Sequence, residues 1–590
     1  MPSRVQYPDI AAAKGLPHPP PLGCPVPPHG HAVSVQLPRW KDMIGMVTKE
    51  PRVVGVQQIG YPRSFLNQHV VTANDACLTL FGREGEKCLI FPALNHALGC
   101  QTTIGDLAPD VASLVRIQAA DFLLDESSVA EAIEKEVTQN CLALTSRHRF
   151  YVVIYPAQVH DSAMIFWRLT GTGISSRLAE NMNEHLDNIT AVPENEPPQR
   201  DSSSGLAREL TDAQSDETVR KRIVSLLQRA PIDEAHTAGF SSSDVFLYPT
   251  GMAAIYAANN LLQGWRPEQS VVFGFPYELT LKMQQKYGVD CKFYGFGTDA
   301  ELDSFQGYLA EEWEQGRAVQ SVWCECASNP LLRTVDLQRI RRLADEYGFV
   351  VVVDETIGSF ANIDVAGIAD IIVTSLTKSF SGKANVMAGS LVLNPSSPFY
   401  SELKRSMAST YVNELFAADS RALELNSRDF LAVASTMNRN AQHLVSVLSP
   451  YALSASSTLT HVYYPSTCWS RENYEARMRT ATPEFTPGYG GLFTLEFESV
   501  VAAATFFDAV NIHKGPSLGA SVTLAQPYVQ TVFTREKAWA ASYGLRESIV
   551  RISVGIENDE ALGREFLRAL RLADRFKVGR ELNGHLESFL

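Results

Sequence analysis

Apolar residues recur along this chain with two different periods, and the alternation between them sets the expected architecture. In Asp336-Leu-Gln-Arg-Ile-Arg-Arg-Leu-Ala-Asp-Glu-Tyr-Gly348, Leu337, Ile340, Leu343 and Tyr347 share one helical face, with Asp336 as cap and Gly348 as stop. Phe349-Val-Val-Val-Val-Asp354 follows as an uninterrupted apolar run, the pattern of a parallel strand buried on both faces. Ile371-Ile-Val-Thr374 repeats it. Strand-helix-strand units at this spacing predict an α/β layer fold, in which ligands bind at the carboxyl ends of the strands. Short apolar runs between about Val33 and Leu169, such as Phe150-Tyr-Val-Val-Ile-Tyr155, predict strands in an amino-terminal domain with no evident chemistry of its own. After about residue 400 the pattern turns helical. It becomes strand-like again at Gly490–Glu496 and Ile549–Gly555, which predicts a second, smaller α/β domain.

Two segments punctuate this pattern. Leu16-Pro-His-Pro-Pro-Pro-Leu-Gly-Cys-Pro-Val-Pro-Pro-His29 is expected to run extended over the surface, because proline fixes φ and removes donors. Pro193–Gly205 is polar and turn-forming, as in a linker or surface insertion. With 590 residues the chain exceeds a single core. The expected division is an amino-terminal extension over 1–165, a helical segment with the polar insertion over 166–240, a ligand-binding large domain over 241–400 and a small domain over 401–590.

Composition narrows the functional classes. A net charge of −14 argues against nucleic acid or an anionic membrane as the main partner, since both need clustered Lys and Arg. No stretch approaches the roughly 18 apolar residues of a membrane span, and no charged leader precedes an apolar core, so a cytoplasmic protein is expected. Nine scattered cysteines do not form a secreted disulfide framework and point to a reducing compartment. Cys324 and Cys326 form an isolated C-x-C without a second pair, which reads as strand residues, and no metal is expected.

The candidate chemistry sits at the strand ends. Asp244-Val-Phe-Leu-Tyr-Pro-Thr-Gly-Met-Ala-Ala-Ile255 reads as strand, turn and helix start, so the amides near Gly251 and Met252 would face an anion such as phosphate, although a plain turn has the same pattern. Asp354 ends a buried run and needs a partner, for which a pyridinium nitrogen serves; capping the next turn is the other use of an Asp there. Lys378 follows the Ile371–Thr374 strand between hydroxyls, Ser375 and Thr377 among them, and before the Gly-rich Ser381–Gly389. Most lysines are solvated surface charges. One held near a cationic ring and partly desolvated gives up its proton more readily, as imine formation requires.

Together these segments resemble the pyridoxal-phosphate (PLP) dependent enzymes of cysteine and methionine metabolism, most closely the long fungal form of cystathionine γ-synthase. The resemblance spans roughly Asp244 to Glu557, and the extension with Gly60-Tyr-Pro-Arg63 also looks like the fungal form. It implies the fold type I of PLP-dependent transferases, like aspartate aminotransferase, with a mixed, mostly parallel sheet. It also implies Lys378 as the Schiff-base lysine, Ser375 and Thr377 on the cofactor phosphate with the Gly251 and Met252 amides, and Asp354 on the ring nitrogen. Tyr277 resembles the tyrosine that stacks on the ring and assists proton transfer. Asn329 resembles the residue near the ring hydroxyl, with Glu325 as a supporting carboxylate on the substrate side. Arg551 resembles the clamp on the substrate α-carboxylate, helped by Ser517; a guanidinium fork suits a carboxylate.

Two departures stand out. The family segment that reaches the neighbouring subunit's phosphate maps to Phe166–Gly173, which keeps Arg168 but loses the tyrosine and the Asn-Pro-Thr. That segment is the expected dimer arm, in a homodimer or homotetramer whose sites are completed across the interface. The stretch Ala520–Phe533 lacks the histidine expected of the fungal form. The resemblance implies γ-replacement on an O-acyl-L-homoserine, acetyl or succinyl, with cysteine giving cystathionine in transsulfuration. A carbon nucleophile in secondary metabolism, or a γ-lyase, is the alternative.

Overall fold

The computed structural model describes residues 16, 18–60, 64–125, 145–193, 212–236 and 239–587. Tyr61–Arg63 and 194–205 of the polar insertion lie outside them. A short antiparallel pair, β1 (Pro25–Val26) and β2 (Ser34–Val35), opens the described chain. An antiparallel sheet follows, made of β3 (Glu86–Phe91), β4 (Arg116–Asp125), β5 (Thr145–Pro156) and β6 (Thr190–Ala191) in the order β3-β5-β4-β6. Its strand β5 explains the uninterrupted run at Phe150–Tyr155. Phe150, Val152 and Ile154 pack with Val70, Cys77 and Met182 on one face, while Tyr151, Val153 and Tyr155 pack with Ala97, Ile104 and Phe166 on the other. This sheet reaches Ala191, beyond the division expected at residue 165.

The large sheet contains β7 (Val245–Tyr248), β8 (Gln269–Phe273), β9 (Cys291–Tyr294), β10 (Val319–Glu325), β11 (Val350–Asp354), β12 (Ile371–Thr374) and β13 (Gly389–Leu393). The order is β7-β13-β12-β11-β10-β8-β9, with β13 antiparallel to both its neighbours and the other pairs parallel. Residues Val351 and Val353 join one core layer, and Val350 and Val352 the opposite one, so every valine of the run is buried. The helix Leu337–Tyr347 feeds this strand. Asp336 caps it by accepting from the Arg339 amide at 2.9 Å, and Gly348 ends it at φ +73°.

The small domain is a five-stranded sheet of β14 (Leu459–Tyr463), β15 (Leu492–Phe497), β16 (His513–Lys514), β17 (Leu524–Gln526) and β18 (Ile549–Ser553), ordered β14-β15-β18-β17-β16. Helices Phe430–Ala452 and Asp559–Glu587 and the strap from Ala32 to Leu37 share its core. Polar contacts tie that strap down. The Leu37 amide donates to Lys514 O (2.7 Å), the Ser34 hydroxyl to Pro516 O (2.5 Å) and the Val33 amide to Ala384 O (2.8 Å). Among the described residues no helix is long and apolar enough to cross a membrane.

Candidate active site

The carboxyl ends of β7, β10, β11 and β12 open onto one cleft, which is the consequence of their common direction. The cleft is lined by all twelve residues singled out from the sequence: Arg168, Gly251, Met252, Tyr277, Glu325 and Asn329, and further Asp354, Ser375, Thr377, Lys378, Ser517 and Arg551.

At one end, β7 turns into the helix Gly251–Trp265. Thr250 caps it, accepting from the Ala253 amide at 3.0 Å while its own hydroxyl donates to Gly171 O at 3.1 Å. The first amides of a helix have no carbonyl in the preceding turn, so those of Gly251 and Met252 are available to an anion. A β-carbon on Gly251 would sit 2.7 Å from Ser375 Cβ, so glycine is what lets this turn pack against the segment carrying Lys378. The Ser375 amide donates to Thr356 Oγ1 (2.8 Å). Thr377 differs from expectation in one respect: its hydroxyl donates to Ala388 O (3.2 Å) and accepts from Ala388 N (3.0 Å), fixing the loop after β12 against β13.

Two carboxylates floor the cleft. Asp354 accepts from the Thr356 amide at 2.9 Å, and burial raises its pKa above the usual range despite that bond. Glu325 accepts from Tyr277 N (2.6 Å) and Asn329 N (3.1 Å); burial and then the Asp354 charge push its pKa well up. Both Glu325 oxygens thus hold backbone, which makes it a support for Tyr277 and Asn329.

The far wall comes from the small domain. Lys378 Nζ donates to Ser517 Oγ at 2.9 Å. Arg551, on β18 and buried, donates to Asn329 Oδ1 (3.1 Å), Ser517 O (2.8 Å) and Gln526 Oε1 (2.6 Å), and lies 4.9 Å over the Tyr528 ring. Gln526 and Tyr528 are absent from the sequence expectations. Their signal is a polar residue closing the apolar strand β17 within the segment that lacks the histidine. Val33, Met46, Val47 and Ser64 also line the cleft. The amino-terminal part, expected to carry no chemistry, therefore supplies a wall.

Comparison with known proteins decides the family. Residues 232–571 match the model of the Cys/Met metabolism PLP-dependent enzymes. The chain belongs to that family. Residues 70–175 match the amino-terminal domain of fungal trans-sulfuration enzymes. Curated relatives include an alanine racemase, ungC, of Aspergillus violaceofuscus, 36% identical over 94% of this chain and 97% of the relative. A cystathionine gamma-synthase-like enzyme, iboG2, of Amanita muscaria is also 36% identical, over 94% and 97%. Cystathionine gamma-synthase of Neurospora crassa is 33% identical over 94% and 98%. The fold is that of the crystal structure of cystathionine gamma synthase from Xanthomonas oryzae pv. oryzae, with a TM-score of 0.50 and 20% identity over 62% of this chain and 87% of that one.

Membership makes this a PLP-dependent, cystathionine γ-synthase-like enzyme of fold type I. The residues of this cleft fit the cofactor. A helix start whose first amides have no intrahelical acceptor lies beside Ser375, and a buried carboxylate at Asp354 needs a cationic partner.

Proposed function

We propose that this enzyme catalyses γ-replacement on an O-acyl-L-homoserine, acetyl or succinyl, with L-cysteine to give L-cystathionine. The observation that carries the proposal is the meeting of Lys378 and Arg551 at one residue: Ser517 accepts the lysine through its hydroxyl and the guanidinium through its carbonyl. An amino acid with its carboxylate on Arg551 therefore presents Cα to Lys378.

Lys378 would hold the cofactor aldehyde, with Asp354 on the ring nitrogen, the Gly251 and Met252 amides and Ser375 on the phosphate, and Tyr277 and Asn329 against the ring; Thr377 shapes the phosphate loop. When bound, PLP supplies an electron sink for charge at Cα. Lys378, released when the substrate amine takes its place, would take the Cα proton, and Tyr277 would take a second proton from Cβ as the acyl carboxylate leaves Cγ. The cysteine thiolate then adds at Cγ, and the protons held by Lys378 and Tyr277 return to Cβ and Cα. Arg551 keeps the α-carboxylate fixed throughout. Arg168, at the end of the helix His160–Thr170, adds a cation to the cofactor side of the cleft. The working unit in this reading is a homodimer or homotetramer, which light scattering of the purified protein tests.

A carbon nucleophile such as a β-keto acid is the second reading. It is favoured by the absence of histidine from Ala520–Phe533 and by the apolar Val33, Met46, Val47 and Leu518 along the cleft. The test is incubation with O-acetyl- and O-succinyl-homoserine, with and without cysteine, followed by mass analysis. Cystathionine is the expected product. 2-Oxobutanoate alone indicates a γ-lyase, and a carbon-carbon adduct without cystathionine supports the second reading. Racemisation of alanine with no turnover of either ester overturns γ-chemistry altogether. Lys378→Ala should abolish the protonated-imine absorbance band of the wild-type enzyme.

A further inference from the structure

Outside the cleft, three side chains from distant parts of the chain turn their ligating atoms toward one point. His31 Nε2 lies 3.1 Å from Glu180 Oε2, and His69 Nε2 lies 3.5 Å from Glu180 Oε1. All three ligand atoms fall within 4.8 Å of one another. We propose that His31, His69 and Glu180 bind a zinc ion. Around a tetrahedral zinc with bonds of about 2.0–2.1 Å, neighbouring ligand atoms stand about 3.3 Å apart. The two contacts run to different Glu180 oxygens, each close to that value, so the carboxylate would bind through both oxygens or turn to bring one of them to the ion.

The donors are held by different elements. His31 precedes β2 on the strap, His69 lies in the first turn of the helix Gln68–Phe81 and Glu180 on the helix Ser176–Asn183. The backbone around His69 is fixed on both sides, its amide by Asn67 Oδ1 (2.9 Å) and its carbonyl by Asn183 Nδ2 (2.9 Å). His31 Nδ1 is 3.0 Å from Ser176 Oγ. A proton on Nδ1 given to that hydroxyl would leave the Nε2 lone pair facing Glu180, the outer-shell arrangement typical of metal-bound histidine. Arg177, next to Ser176, is engaged by Asp419 at 2.9 Å. The His31 side chain is 8% exposed, against 33% for His69 and 45% for Glu180, so the site is anchored inside and reachable from solvent. Two imidazoles and one carboxylate form a borderline donor set suited to zinc, with a fourth position for water. Val33, two residues beyond His31, lines the cleft, so a zinc here would pin the strap that forms the cleft wall.

The rival arrangement is a carboxylate hydrogen-bonded to two imidazoles with no metal. Glu180→Gln separates the two, since a glutamine oxygen still accepts from an imidazole N–H but is a poor zinc ligand. PLP-loaded protein is stripped with chelator, equilibrated with zinc, desalted and measured by elemental analysis, with affinity taken from competition with a chromophoric chelator. Wild type is expected to retain one zinc per chain with submicromolar affinity and to unfold at a higher temperature with zinc than without. Glu180→Gln and His69→Ala should lose retention and the thermal shift, and Ser176→Ala should weaken binding roughly 10- to 100-fold. Absence of retained zinc in wild type, or retention unchanged in both ligand variants, overturns the proposal.

Discussion

Lys378 Nζ and Ser517 Oγ meet at 2.9 Å, although Ser517 stands at φ +94°, a backbone region that favours glycine. The serine is kept there at a backbone cost, which the hydroxyl contact to the lysine accounts for. Ser517→Gly should stabilise the fold by about 1 kcal/mol by relieving that φ, and Ser517→Ala should not. Both should lower kcat roughly five- to tenfold through loss of one hydrogen bond. Denaturant unfolding together with steady-state kinetics on the two variants checks the pair of outcomes.

Gly519 makes a second close approach to the same lysine. At φ +74°, a β-carbon there would lie 2.5 Å from Ser379 N and 2.9 Å from Lys378 Cα. These are backbone atoms and have no rotamer to give. Gly519→Ala should displace Lys378 and cost on the order of 10²-fold in kcat, with a shifted cofactor absorbance, since misplacement of a reacting group by about 1 Å has that effect.

Arg551 spreads its donors over Asn329, Ser517 and Gln526, which a lysine ammonium cannot reproduce from one point. Arg551→Lys is expected to raise KM for the amino-acid substrate about 10- to 100-fold, the equivalent of losing one charged hydrogen bond, with a smaller change in kcat. An equal fall of kcat with KM unchanged would contradict the carboxylate-clamp role.

Glu355 predicts how stability changes with pH. It is fully buried, its Oε1 accepts from Thr374 Oγ1 at 3.1 Å and its Oε2 has no hydrogen-bond partner. Burial pushes its pKa well above the usual range, and the nearby Arg479 charge only partly offsets this. Above about pH 4.3 the unfolded glutamate ionises while the folded one keeps its proton, so the folded state binds more protons and stability falls as pH rises toward the raised pKa. Glu355→Gln removes that contribution. Wild type and variant should unfold alike below about pH 4 and diverge above it, with the variant more stable near pH 8.

The legible part of this protein is what neighbours in sequence determine. The valine run at 350–353 and the capped helix before it are local patterns, and the strand directions they imply carry Asp354, Ser375 and Lys378 to one edge of the sheet. What could not be read depends on contacts over long separations. Gln526 matters because of Arg551, and Val33 because Ala384 and Pro516 hold its strap. His31, His69 and Glu180 have no ligand-like spacing, because their proximity comes from packing of the strap and two helices of the amino-terminal part. The hydroxyl of Thr377 marks a different limit, since residue type alone does not tell whether it faces a ligand or the Ala388 backbone.

The bond from Ser34 to Pro516 joins residues 482 positions apart. A ribosome delivers Ser34 that far ahead of Pro516, in the segment the strap docks against. Leu37 must therefore wait for Lys514 to emerge, while Val33 can bond to Ala384 sooner, so this wall of the cleft is assembled in two stages well after it is made. Catalytic competence thus arrives as a late event in the life of the newborn chain.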